Sequence, residues 1–356
     1  MFYKLDFQPH ILFVYFLIFL LSLSGCIQDE PINEPINQPG GGFDGECTEA
    51  ILYNVKKTEN FSIAVRIDEE ETILVEDPNF DFWWARLSPN KTTFLCYKSP
   101  IGDNRPDNDY SRAELWRFSV DGTNGVKLID LDDYGWLEQG VADWSPDGNY
   151  LVMAAVIIED PSKPEDFYWH LFRTNADGSN PIQLTSGPGL RGDPSWSPNG
   201  DKIIYVSFPE DYDEENLIQL LLDISFQTPL EVHIADISQE GKLSNIIQLT
   251  DDDIRDNDPY MSPDGKIIAW ESFVDSGGAI RQYDLDAQLT TTILEPEEFV
   301  CCPSWNEESD RFLIHAIGAG SPFYIAEYNI LTQEYRPILK VQNAAHINPQ
   351  WVCWPN

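Results

Sequence analysis

Apolar and aromatic residues come in short runs broken by turn residues along almost the whole chain, and helical periodicity is scarce. The run KIIYVS (202–207) is β-branched and aromatic, which reads as a strand. A shorter apolar piece, DPSWS (193–197), precedes it, and Ser-Pro-Asn-Gly lies between the two. Proline presets φ for a turn, Asn bonds its own backbone, and Gly accepts positive φ, so the segment is a β-hairpin with a pinned turn. The same phrase recurs as DPYMSPDGKIIAWES (258–272), VADWSPDGNYLVMA (141–154) and DFWWARLSPNKTTFLCY (81–97). CCPSWNEESDRFLIHA (301–316) keeps Pro-Ser-Trp and the following strand, and HINPQWVCW (346–354) keeps Pro-x-Trp. EENLIQLLLDISF (214–226) departs from the pattern and predicts a short helix or an inserted hairpin.

The aligned positions Ser88, Ser145, Ser197, Ser262, Asn306 and Val352 recur 44 to 65 residues apart. Such a period, with several strands per unit, points to propeller blades. The intervals carry a second strand–turn–strand piece, as in RAELWRFSVDGTNGVKLID (112–130), YWHLFRTNADGSNPIQLT (168–185) and LEVHIADISQEGKLSNIIQLT (230–250). The expected fold is all-β, a six-bladed β-propeller with four antiparallel strands per blade. The last copy supplies one strand, and AILYNVKK (50–57), FSIAVRI (61–67) and ETILVED (71–77) supply the other three. N-terminal strands pairing with the C-terminal strand would close the ring and leave no free sheet edge.

The phrase Pro194-Ser195-Trp196-Ser197-Pro198-Asn199-Gly200, with Pro259-Tyr260-Met261-Ser262-Pro263-Asp264-Gly265 close to it, resembles the WD40-like repeat of TolB-type β-propellers. The resemblance covers about 48–356 and implies fold more than function, because such propellers host many roles. TolB itself carries an α/β domain before its propeller; this chain is expected to lack one, so interactions that need that domain are not carried over.

Ahead of the repeats, ILFVYFLIFLLSLS (11–24) is an apolar run too short for a comfortable membrane span and suited to a signal peptide. Leu23-Ser24-Gly25-Cys26 resembles the bacterial lipobox, which implies cleavage before Cys26 and acylation of that residue. The expected organisation is a lipoprotein signal peptide at 1–25, an acidic Pro/Gly-rich tether at 26–47 and the propeller at 48–356. Ile27, which follows the cysteine, favours the outer membrane by resemblance to the enterobacterial sorting rule, on the periplasmic or the surface side. An extracytoplasmic location permits disulfides. In the predicted register Cys47 and Cys353 lie near the same strand connection, where either a bridge stapling the ring or two free thiols fits. Adjacent Cys301 and Cys302 read as buried thiols.

The 60 Asp and Glu against 22 Lys and Arg give a formal charge of −38, which makes nucleic acid and anionic headgroups poor partners. Tight A–B and C–D turns share one face of the ring. The long B–C and D–A segments, among them 99–111, 159–167, 208–216 and 251–259, share the other, so function is expected at that mouth of the channel. Four residues before the aligned positions stand Trp84, Val141, Asp193, Asp258, Cys302 and Asn348, with Arg191, Arg255 and His346 just upstream of three of them. Trp84, Arg191, Asp193, Arg255, Asp258 and His346 are the ligand-binding candidates, since carboxylates beside guanidiniums hold polar ligands or peptide ends. Asp193 and Asp258 also suit backbone N–H groups of neighbouring blades. Asp251, Asp253 and Asp256 are weak Ca²⁺ candidates without EF-hand spacing, and no other cofactor is expected. No Gly-x-Ser-x-Gly or His-Glu-x-x-His motif occurs, and no catalytic residue is assigned. The reading is a monomeric, envelope-anchored binding or scaffold module for a protein or glycan. The alternative is a glycan lyase or hydrolase using carboxylates at the mouth.

Overall fold

The computed structural model describes residues 45–57, 59–101, 110–163, 167–208, 229–274, 277–295, 299–318 and 322–355. The signal segment, Cys26, most of the tether and the 214–226 insert lie outside the described residues. Six antiparallel sheets of four strands each form the fold. Their innermost strands are Phe80–Leu87 (blade 1), Glu138–Trp144 (blade 2), Arg191–Trp196 (blade 3), Arg255–Met261 (blade 4), Phe299–Trp305 (blade 5) and Ala345–Pro355 (blade 6). Blade 6 is built as expected: Ala345–Pro355 pairs with Cys47–Lys56, followed by Phe61–Ile67 and Glu70–Val75. Cys47 and Cys353 both lie inside these strands, where the sequence reading set them just outside, and they are bonded to each other with their Cα atoms 5.4 Å apart.

The core lies between blades. Separate apolar clusters join blades 6 and 1 (Leu52, Phe94, Trp354), 1 and 2 (Trp83, Leu151, Phe172) and 4 and 5 (Ala269, Phe312, Tyr324). Because both faces of a blade are covered, second strands such as Lys202–Ser207 are buried at nearly every position. Outer strands such as Leu243–Gln248 are largely exposed. A four-residue helix, Leu131–Tyr134, fills the connection from blade 1 to blade 2; Asp130 caps it and Gly135 ends it at φ 68°.

The repeated Ser-Pro-Asx-Gly has a common job. Ser145, Ser197 and Ser262 accept the backbone N–H five residues on through Oγ, and Gly148, Gly200 and Gly265 take φ of 70–74° in the turn. In blade 5, Asn306 Oδ1 replaces the serine and accepts from Arg311 N at 2.9 Å. The tryptophan before the serine clamps blades together: Trp144 Nε1 donates to Arg86 O and Trp305 Nε1 to Tyr260 O, each in the preceding blade. Ser262 is fully buried, so Ser262→Ala leaves the Ile267 N–H unsatisfied. Urea unfolding should show a loss of about 1–3 kcal/mol.

Candidate functional site

Every innermost strand carries one extra residue opposite its neighbour, a β-bulge at the same place in all six blades. The bulged residue is left-handed each time: Trp84, Val141, Asp193, Asp258, Cys302 and Asn348 have φ between 47° and 59°. None is glycine, and Val141 is β-branched, so each position carries strain of about 1–2 kcal/mol that the ring must hold in place.

Hydrogen bonds between neighbouring blades hold it. One position on the second strand, opposite the residue before the bulge, carries Asn54, Tyr97, Ala154, Val206, Glu271 and His315 round the ring. Two of its polar members receive the bulge N–H of the next blade: Trp84 N donates to Asn54 Oδ1 at 3.1 Å and Asn348 N to His315 Nδ1 at 3.1 Å, while the Glu271 carboxyl lies against Cys302 N. Asp193 Oδ2 accepts from Asp258 N at 3.3 Å, and Asp143 Oδ2 from Trp196 N at 3.1 Å.

At the loop-rich end these positions gather ionisable groups. Asp258 is buried, Asp193, Arg255 and Cys302 are half-buried, and Cys302 Sγ donates to Asp258 Oδ2 at 3.2 Å. Burial, then the neighbouring Asp193 charge, pushes Asp258 up to about 7. Burial and the Asp258 and Asp193 charges raise Glu271 well above the carboxylate range. Burial draws Arg255 down while Asp193, Glu271 and Asp258 oppose it. Tyr110 comes in from the connection after Thr93–Pro100, stands edge-on to Trp83 (5.1 Å) and Trp169 (6.1 Å), and its hydroxyl is pushed up by burial and by the nearby Asp193 and Asp258 charges. Below it, the Arg86 guanidinium lies between the Trp84 and Tyr260 rings at 5.2 and 5.3 Å and bonds Tyr260 Oη.

The structure thus brings Asp193, Arg255 and Asp258 together, with Trp84 on the channel wall. It sets Arg191 and His346 apart. Arg191 Nη1 donates to Gly187 O and Pro188 O of its own loop. His346 is buried against the Tyr53 ring, with Nε2 4.0 Å from Glu71. The Ca²⁺ candidates do not converge: Asp251 and Asp253 are exposed, while Asp256 is buried, bonded by Ser272 Oγ and 3.6 Å from Arg281. Glu271, Arg86 and Tyr110 were not singled out from the sequence, and Cys302, named as an entry position and read as a buried thiol, is half-buried and joins the cluster. The usable signal was Glu271 and Arg86, charges inside otherwise apolar strands. An open depression of about 470 Å³ on the rim of blade 2, lined by Glu159, Gln183 and Thr185, lies away from this cluster, and we place the site where the ionisable groups converge.

Burial pushes His346 down to about 4 from 6.5. Between those pH values the unfolded chain binds a proton that the folded one does not, so stability falls as pH drops through that window. The His346 share at pH 5 is about 2 kcal/mol. Urea titrations at pH 7 and pH 5 should show His346→Gln losing less stability than wild type by that amount.

The architecture is that of a TolB-like six-bladed β-propeller. TolB from Acinetobacter baumannii superposes with a TM-score of 0.61 at 12% identity, over 87% of this chain and 67% of that one. A chain of the nidogen/laminin complex superposes with a TM-score of 0.59 at 9% identity, over 86% and 100%. These likenesses show the fold. A protein of Agrobacterium fabrum is 29% identical over 152 residues, 38% of this chain and 49% of the relative, so the match spans about half the length of that curated relative. No protein-family model matches the sequence.

Proposed function

We propose that the protein is a bacterial envelope lipoprotein, anchored through acyl chains on Cys26, whose propeller binds a protein or glycan ligand at the loop-rich mouth without transforming it. The observation that carries this reading is the half-buried Asp193–Arg255 pair beside Asp258 under Tyr110, on the face where the long connections gather. Carboxylates outnumber guanidiniums there, which suits a ligand presenting a cationic or hydroxyl-rich group. The folds of TolB and of a nidogen/laminin complex chain support a binding role, the latter having been solved in a protein complex. Paired acids alone do not define an enzyme.

Full-length protein in detergent, used as bait in native envelope extract, tests the reading. An Asp193→Asn/Arg255→Gln variant should lose the captured ligand, and a variant with Asn199 and Asp264 changed on the tight-turn face should keep it. Equal capture by both variants overturns the assignment of the mouth; turnover of envelope glycan by wild type overturns the non-catalytic reading. Metabolic labelling with a fatty acid should mark wild type and spare Cys26→Ser.

A further inference from the structure

We propose that Asp258, Glu271 and Cys302 form a binding site for a borderline-soft divalent cation of the Zn²⁺ class, a property that stands apart from the ligand reading above. One donor atom from each of the three lies within 4.8 Å of the others. Cys302 Sγ is already 3.2 Å from Asp258 Oδ2, close to the spacing of two ligands on one tetrahedral ion, where metal–sulfur is about 2.3 Å and metal–oxygen about 2.0–2.2 Å. The three come from stiff elements: Asp258 and Glu271 from adjacent strands of blade 4, Cys302 from the innermost strand of blade 5.

The repeat itself separates a cation site from a plain inter-blade latch. At the position of Glu271, Asn54 and His315 receive the next blade's N–H with a neutral side chain. Glu271 lies against Cys302 N at the same place, yet brings a carboxyl group that a latch does not need and that is costly to bury charged. The surrounding charge points the same way. Asp143, Asp193, Asp258 and Glu271 place four carboxyl groups around only two guanidiniums, Arg86 and Arg255. On binding, a dication takes the place of the protons held by the Glu271 and Asp258 carboxyls and the Cys302 thiol.

His315 is set aside as a ligand by its hydrogen bonds. Its Nδ1 accepts from Asn348 N, so the ring proton sits on Nε2 and points to Cys301 Sγ. His315 and Cys301 therefore back the site, with Cys301, Cys302 and His315 donor atoms also within 4.8 Å of one another. A thiolate among the ligands selects against Ca²⁺ and Mg²⁺, which take oxygen only. Three protein ligands leave a fourth position for water or a ligand atom.

Full-length protein in detergent, stripped with chelator and reduced under anaerobic conditions, tests the site with Co²⁺ and Zn²⁺ alone. Co²⁺ should bind at one equivalent and give a thiolate-to-cobalt charge-transfer absorption, which Zn²⁺ abolishes and excess Ca²⁺ does not. Cys302→Ser should lose the absorption. Glu271→Gln keeps the latch acceptor, and thus the fold, and should weaken binding by roughly tenfold or more. Metal should also shield Cys302, but not Cys96 of blade 1, from alkylation in the partly opened protein. Absence of the absorption in wild type, or equal affinity in wild type and Glu271→Gln, overturns the proposal, the latter showing that only surface acids bind.

Discussion

A chain ending at residue 344 is expected to lose cooperative unfolding altogether. The missing strand, Ala345–Pro355, is the innermost of blade 6 and pairs with Cys47–Lys56 along nearly its full length. Its removal exposes an edge on a sheet whose other three strands sit at the opposite end of the sequence. It also takes away Val352 and Trp354 from the cluster shared with blade 1. Contacts on both sides go with them: Trp351 N to Ser304 Oγ, Asn348 N to His315 Nδ1, and Leu87 N to Gln350 Oε1. Burying two such side chains is worth about 3–6 kcal/mol and each lost inter-blade bond about 1 kcal/mol more, comparable with the whole 5–15 kcal/mol stability of a domain. Calorimetry should give a broad transition or none; one sharp transition at the wild-type temperature would show that the ring does not depend on this strand.

Reducing the Cys47–Cys353 bond is the second large effect. The bond links residues 306 positions apart, so in the unfolded chain it closes almost the entire propeller into one loop. Loop entropy for that length corresponds to about 6 kcal/mol of stabilisation, before any relaxation of the native strands. Urea midpoints with and without reductant should differ accordingly. Among the described residues Cys96, Cys301 and Cys302 are free thiols, so Cys353→Ala should unfold like reduced wild type and respond little to reductant.

The blades were legible because their signals are local. Ser-Pro-Asx-Gly and its neighbouring β-branched run specify a hairpin without reference to the rest of the chain, and six copies then fix a ring. Alignment also found the six bulge positions, but not their backbone: neither Trp84 nor Val141 favours positive φ, which the ring imposes. That bulge explains the errors at the mouth. An extra residue breaks the two-residue alternation between the strand before it and the bulge itself, so His346, ahead of its bulge, packs against Tyr53 while Asp258, at its bulge, meets the acids. Tyr110 could not be placed because its position depends on how a long connection folds back. Glu271 hid in IIAWESFV, where one charge among apolar residues looks like a solvent-facing exception until both faces prove to be covered.

The direction of Cys47–Lys56 has a consequence for posture. Its pairing places Cys47 opposite Pro355 and Lys56 opposite Ala345, so the strand climbs from the tight-turn end toward the mouth. Cys47 therefore sits at the tight-turn end of the ring. If Cys26 carries the proposed anchor, the chain between it and Cys47 limits the separation of that end of the ring from the lipid to roughly 70 Å.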